Sequence, residues 1–323
     1  MSTTITTARV SESVSGSPRA DSDPGAFARG KRRIFAPFVV PSLVLYVAFL
    51  VLPTIATVVL SFTSWSGAGD TPKPNGVANY TELASSFPDG AFARSFVNTL
   101  IYIVVGGVGT FVLAFLFAMV LRDMRANKFI RAILFFPNIV APLALGMYFG
   151  FVFRSPDGLA NNMLGMFGID YFKFLSSDNV TYIAMAGIVW SSAGFYITII
   201  MAAIDRVPTY LYEDAAIAGA TAWQKFRSIT LPLTWDVVGI AGVLWTISAV
   251  KIFELVWVLA GPGTYSPPVK TWTLGVMVFD RTFGGRGTPQ YGVACAVAVV
   301  MILLVSLFVL LLRRFMRRET VQF

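Results

Sequence analysis

Histidine is absent from this 323-residue sequence, cysteine occurs once, and only 13% of residues are charged. Each scarcity excludes something. Without histidine the commonest general base and the commonest metal ligand are gone. No Ser/His or Cys/His nucleophilic constellation can be assembled either. A single cysteine, Cys295, set in an apolar run, cannot build a disulfide framework. No cluster of the remaining donor residues has metal-ligand spacing. No G-x-x-x-x-G-K-[ST] stretch occurs, so nothing here is expected to cradle nucleotide phosphates; GGRG at 284–287 lacks the lysine–serine follow-up. Enzymatic chemistry, a metal and a bound cofactor are therefore not expected of this chain. The net charge is +8, but the bases are spread over short loops and tails, which speaks against nucleic acid as a partner.

What is abundant is apolar surface. Hydrophobic residues make up 56% of the chain and the mean hydropathy is +0.70. Soluble chains carry about 25% charged residues. Windows nearly free of charge fall at 34–62, 97–121, 132–153, 181–204, 237–259 and 291–312. Each reaches the roughly 20 residues a bilayer requires, and backbone satisfaction in lipid makes each a helix. The pattern predicts an all-α, polytopic membrane protein with six transmembrane helices. The first window is over-long and holds Pro37, Pro41 and Pro53, which predicts an interfacial elbow near 34–40 and a kink near Pro53.

Three regions follow: a basic tail at 1–33, a six-helix transmembrane domain at 34–313, and a C-terminal tail at 314–323. The first 29 residues, rich in Ser, Thr, Ala and Gly, read as disordered. They do not read as a signal peptide, because the apolar run that follows is too long and no small-residue cleavage site closes it. Six spans put both termini on one side. Alternate segments carry 17 Lys and Arg on that side against 7 on the other, with Lys251 inside a span. The positive-inside rule therefore predicts cytoplasmic termini.

Between the fourth and fifth windows the same side holds "DRVPTYLYEDAAIAGATAWQKFRSITLPL". Pro208 suits the first turn of a helix, and Glu213 and Asp214 lie early enough to favour its dipole. Leu211, Ala215 and Ala218 share one face, small enough for another backbone to approach. Gly219 breaks the helix as a left-handed C-cap residue would. A second helix resumes near Thr221 with Ala222, Phe226 and Ile229 aligned, and Pro232 ends it. The segment 205–232 is longer than a connector needs, and its alanine face suits docking.

Glu213, Asp214, Ala215, Gly219, Ile229, Leu231 and Pro232 resemble the EAA signature of binding-protein-dependent ABC importer permeases, Glu-Ala-Ala followed by a glycine and then Ile-x-Leu-Pro. Asp214 stands where the first alanine is usual, and Ala218 where sugar permeases commonly have an acid. The resemblance implies the type I importer permease fold and a coupling helix that docks on a cytoplasmic ATPase. Glu213 would help seat it and Gly219 would make its turn. It further implies a second homologous permease, two ATPase subunits that bind ATP and Mg, an extracytoplasmic solute-binding protein, and a place in a bacterial cell membrane. "NYTELASSFPDGAFARSFVNTLIY", "RAILFFPNIVAPLALGMYFGFVFRSPDGLANNMLGMFG", "LVWVLAGPGTYSPP" and the closing "RRFMRRE" are similar to stretches of sugar permeases of the maltose and glycerol-phosphate type. The large insertion of the maltose-type subunit is missing, so the plainer glycerol-phosphate or oligosaccharide type is closer.

Lys251 and Glu254 fall in the fifth window, three residues apart, where a helix would put them on one face. Charges at membrane depth cost roughly 2.5–3.5 kcal/mol each on insertion scales and usually face a cavity or a partner. They are read either as solute contacts or as a structural ion pair or a contact to a partner permease near the outer interface. Trp190, Phe195, Tyr196, Trp245, Phe253 and Trp257 are candidates to stack on sugar rings, although packing is the commoner fate of such residues. Gly146-x-x-x-Gly150 would permit close helix packing. A self-powered transporter or channel using Lys251 and Glu254 is the alternative, but it leaves 205–232 unexplained. A membrane scaffold that recruits an ATPase without transporting is a third possibility.

Overall fold

The computed structural model describes residues 37, 39–67, 69–122, 124, 127–261, 266–284 and 287–316. The expected tail 1–33, most of the elbow near 34–40, the middle of GGRG and most of the tail 314–323 lie outside the described residues. Among the described residues the chain is all-α, with no strand and one isolated bridge between Thr63 and Pro74. It divides into two units, Met1–Ile55 and Ala56–Phe323.

The first helix, α1 (Val39–Leu60), carries Pro53 in its interior. Proline has no N–H to give. The helix answers by widening over Val47–Val51, where the N–H of Leu52 reaches back five residues to the Val47 carbonyl. The place expected to kink is thus a single π-turn inside a continuous helix.

The second unit holds α2 (Ala78–Ser85), α3 (Ala91–Arg122), α4 (Asn127–Ile139), α5 (Pro142–Val152) and α6 (Leu159–Met166). Next come α7 (Val180–Ile204), α8 (Thr209–Ile217), α9 (Ala222–Leu233), α10 (Trp235–Val250) and α11 (Glu254–Ala260). The last two are α12 (Leu274–Phe283) and α13 (Tyr291–Met316). Four of these helices, α1, α3, α7 and α13, are long and apolar enough to cross a membrane. Two bent pairs, α4 with α5 at 95° and α9 with α10 at 75°, raise the number to as many as six if each pair counts as one span.

Two windows expected to be single helices are broken. The window 132–153 turns through 95° between Ile139 and Pro142. Pro142 pushes the residue before it out of the helical region, and Ala141 sits at φ −57°, ψ 135°. The window 237–259 stops at Val250 and resumes at Glu254, with Phe253 at φ −145°, ψ −62° between them. No proline or glycine causes this second break. It is held from elsewhere: Thr273 Oγ1 donates to the Ile252 carbonyl at 2.6 Å, satisfying an acceptor the helix has dropped.

The packing centre is α7, which lies along α3, α4 and α11 and touches α5 and α10. Its small residues let neighbours in. A Cβ at Gly194 would overlap the Leu134 carbonyl of α4, and one at Gly187 would come within 3.0 Å of the Phe149 ring of α5. Of the Gly146–Gly150 spacing only the first glycine is used, where an added Cβ would come within 3.1 Å of Val258 of α11; one at Gly150 would meet nothing within 4 Å. At 1.5 Å per residue, α7 is about 37 Å long, so the loops before and after it lie on opposite faces.

Three asparagines tie down the loops on the face that precedes α7. Asn79 Nδ2 donates to the Ser61 and Thr63 carbonyls at 2.8 and 2.9 Å. Asn98 Nδ2 donates to the Lys270 and Trp272 carbonyls at 2.9 and 2.8 Å, while its neighbour Thr99 accepts from the Leu274 N–H at 2.9 Å. Asn161 Nδ2 donates to the Arg154 and Phe172 carbonyls, and its Oδ1 accepts from the Phe172 N–H. Each answers backbone groups that would cost about 1–3 kcal/mol if buried unpaired.

Candidate functional site: a helix–glycine–helix element and a cavity between broken helices

The segment 205–232 folds much as its residues suggest. Pro208 caps α8, and after Ala218 the chain turns at Gly219, whose φ is +76°. The Gly219 N–H donates to the Ala216 carbonyl at 3.0 Å and the Ala220 N–H to the Ala215 carbonyl at 2.8 Å. This pair of bonds closes a helix end that requires the left-handed conformation. Thr221 then starts α9 with a capping box: its hydroxyl accepts from the Gln224 N–H, and the Gln224 side chain accepts from the Thr221 N–H at 2.7 Å. Pro232 lies one residue before the end of α9 at Leu233.

Two details differ from expectation. Glu213 and Asp214 sit in the second turn of α8, because the helix begins at Thr209, and the dipole acts mainly within the first turn. The exposed face is also not the alanine one. Of that face Leu211 and Ala215 are half-buried and only Ala218 is open, and the exposed surface is made mainly of Tyr210, Glu213, Asp214, Ala216 and Ile217, the last 87% exposed. Ile229 and Leu231 are half-buried and Pro232 is exposed. The register is set by Tyr212, which turns inward.

Tyr212 is the knot of the element. It is buried, its hydroxyl shares a 3.0 Å hydrogen bond with Thr230 of α9, and the Arg122 guanidinium at the end of α3 lies 3.4 Å over its ring. Phe115 of α3 meets Phe226 of α9 edge-on at 5.3 Å, and Arg131 of α4 pairs with Asp205 at 3.6 Å. Both α8 and α9 are therefore fastened to the ends of membrane-crossing helices. Arg122, Phe115 and Thr230 escaped the sequence reading, since nothing local marks them as partners of Tyr212.

The two helix breaks meet at a cavity of about 420 Å³. Asn138 of α4, Ser191 and Ser192 of α7 and Ser248 of α10 supply its neutral polar groups; Lys251 and Glu254 supply its charges; Trp245 and Phe253 are among its apolar lining. Lys251 caps α10 and Glu254 opens α11, so the expected shared helix face does not exist. Neither has an ionic partner among the described residues. Irregular backbone at membrane depth is tolerated where it lines a cavity.

The aromatic candidates divide. Trp245 is buried, donates its indole N–H to the Ile103 carbonyl at 2.9 Å, and lies against Gly106 and Gly107 of α3. It fills the π-turn Tyr102–Gly106 and shows the cavity only part of its surface. Tyr196 is buried between Phe111 and Trp245 and does not line the cavity. Trp190 is about half exposed, beside Phe149, and is also absent from the lining. Phe253 stacks on Phe279 at 4.5 Å, and Trp257 packs against the same ring.

Residues 110–321 match the family described as binding-protein-dependent transport system inner membrane component. This chain belongs to that family. The permease is 25% identical to the multiple sugar-binding transport system permease protein MsmF of Streptococcus mutans, over 84% of this chain and 90% of the relative. It is 29% identical to the diacetylchitobiose uptake system permease protein NgcF of Streptomyces coelicolor, over 83% of this chain and 77% of the relative. Its fold matches a subunit of a bacterial ABC transporter involved in the import of the acidic polysaccharide alginate, with TM-score 0.76, 22% identity, and coverage of 92% of the permease and 99% of that chain. A second solved structure, at TM-score 0.76 and 23% identity, is that of a bacterial alginate ABC transporter with its pentasaccharide-bound periplasmic protein.

Proposed function

We propose that this permease is one transmembrane subunit of an ATP-driven importer of a saccharide or sugar-like solute. The reading rests above all on the helix–glycine–helix element in a chain of this family: its outward face carries Glu213, Asp214 and Ile217, its inward Tyr212 lies under Arg122 of α3, and Asp205, just ahead of the element, pairs with Arg131 of α4. Such an element can take a push from a docked protein and pass it to the spans. In this reading α8 and α9 face the cytoplasm with both termini, and α8 docks on one of a pair of ATPase subunits, which bind ATP and Mg. A second, homologous permease completes the pathway, and an extracytoplasmic binding protein delivers the solute.

The cavity at the two breaks is the solute-handling site. Hydroxyl, amide, ammonium and carboxylate groups there offer both donors and acceptors to sugar hydroxyls. Relatives named for sugars and diacetylchitobiose support the solute class. Access alternates as closure of the ATPases moves α8 and α9, and α10 and α4 move with them.

The test is purification of the tagged permease from its own membranes in mild detergent, with the co-purifying subunits identified and assayed for ATP hydrolysis and for uptake in proteoliposomes. An ATPase and a second permease are expected, the ATPase being lost from a Glu213→Arg, Gly219→Val double variant. A permease that purifies alone and still moves solute without ATP would sink the proposal.

A further inference from the structure

On the face opposite α8 and α9, a second cavity of about 570 Å³ opens where α5 ends and the chain returns toward α7. Arg154, Ser155, Tyr171, Lys173 and Ser176 line it, together with two apolar residues. We propose that this pocket binds the phosphate group of a membrane phospholipid, whose acyl chains run along the apolar surface beside it.

The lining chemistry is that of an anion site: two cations, the hydroxyls of Tyr171 and Ser176, and no carboxylate, while the Ser155 hydroxyl is spent on the Phe172 carbonyl. Among the described residues neither Arg154 nor Lys173 has an ionic partner, and both side chains are exposed. Asp178, five positions beyond Lys173, is engaged by Lys270 from the loop before α12. Asp157 and Asp170 belong to the same stretch but do not line the pocket. A guanidinium and an ammonium converging on one concavity suit phosphate oxygens, which accept charge-assisted hydrogen bonds from both.

The pocket is also built. Asn161 is 5% exposed and joins the pocket's two walls, bonding Arg154 and Ser155 on one side and Phe172 on the other. Ser155 Oγ adds a bond to the Phe172 carbonyl at 2.9 Å. Arg154 and Lys173 are thus held across a fixed frame.

The surroundings select a lipid over a free anion or an acidic protein surface. Phe153 lies at the end of α5 and Val180 at the start of α7, so the pocket sits at the level of headgroups. Beside it α6 and the residues after it expose Met163, Met166, Phe167 and Ile169, two of them about 80% open. Such side chains are poorly placed in water, whereas at the boundary of headgroup and acyl chain they are solvated. Tyr171 is of the type enriched at that level.

The experiment uses the full chain with whatever subunits accompany it, delipidated in detergent and titrated with phosphatidylglycerol, then weighed by native mass spectrometry. The wild type is expected to retain one more phosphatidylglycerol than R154Q/K173Q at the same activation energy. R154K/K173R, which keeps both cations, should retain it, as should K73Q, which removes a cation from a different loop on the same face. Dioleoylglycerol, with the same chains but no phosphate, should not occupy the site. Equal retention by wild type and R154Q/K173Q would overturn the proposal. So would displacement of the lipid by millimolar inorganic phosphate, which would mark a free-anion site. Undiminished lipid with weakened capture of an acidic extracytoplasmic protein would assign the pocket to that protein and overturn it as well.

Discussion

Gly219 and Lys251 carry different kinds of information. A side chain at Gly219 would meet nothing within 4 Å, so its requirement is conformational alone: φ is +76°. A β-branched residue there costs roughly 1–3 kcal/mol of strain, whereas asparagine tolerates the left-handed region. Gly219→Val is therefore expected to lower solute moved per ATP hydrolysed, and Gly219→Asn to keep most of it, both with normal membrane insertion; equal coupling in the two would remove the turn from the mechanism. Among the described residues Lys251 has no ionic partner to lose, so Lys251→Gln should leave assembly intact. Removing a charged hydrogen bond worth about 1.5–3 kcal/mol should reduce uptake about tenfold or more at sub-saturating solute. Transport unchanged in Lys251→Gln would mean the cavity is not on the pathway. Of these residues Gly219 was legible in sequence because its constraint is local. Lys251 and Glu254 were found as charges in an apolar window, but their arrangement was misjudged, since a carbonyl captured by Thr273 from 21 residues away ends the helix between them.

Elements show the same division between local and distant causes. The break at Pro142 could have been read from "PNIVAP", because proline restricts the residue before it; hydropathy alone ran through it. Register on α8 could not be read, because the alanine face and the acidic face are equally plausible surfaces until Tyr212 is placed. That placement has a measurable consequence. Tyr212→Phe keeps the ring beneath Arg122 and loses only the bond to Thr230, while Arg122→Gln removes the cation. A cation over an aromatic ring contributes about 0.5–2 kcal/mol and a neutral hydrogen bond about 1 kcal/mol. Either single variant should retain the bound ATPase, and the pair Arg122→Gln, Tyr212→Ala should hydrolyse ATP with uptake reduced several-fold. Loss of the ATPase from the single variants would show the contact to serve docking rather than transmission.

At the level of the whole molecule, the asparagines within the family-like stretches turn out to be fasteners. Asn98→Ala withdraws two donors from the loop that leads into α12, and at about 0.5–1.5 kcal/mol per bond it should lower thermal stability in detergent by about 1–3 kcal/mol. Lys270→Gln, which breaks only the exposed pair with Asp178, should cost at most about 1 kcal/mol. A larger loss from Lys270→Gln than from Asn98→Ala in a thermal melt would reverse this ranking. The stretches that carry the resemblance contain Asn79, Asn98 and Asn161, but nothing in them says what these side chains hold, because their partners are carbonyls of loops as many as 174 positions away. Span number, by contrast, was close to legible, since apolar length is a property of each window by itself.

The contact of Gly194 with the Leu134 carbonyl leaves less room than a methyl group occupies. Two helices in such contact have no slack to slide or tilt past each other, so α4 and α7 travel as one plate. Whatever opens and shuts in this permease must therefore open along the seams of that plate, where α3, α5, α10 and α11 border it, and the lone methyl of a Gly194→Ala variant would act as a wedge driven into a joint built not to move.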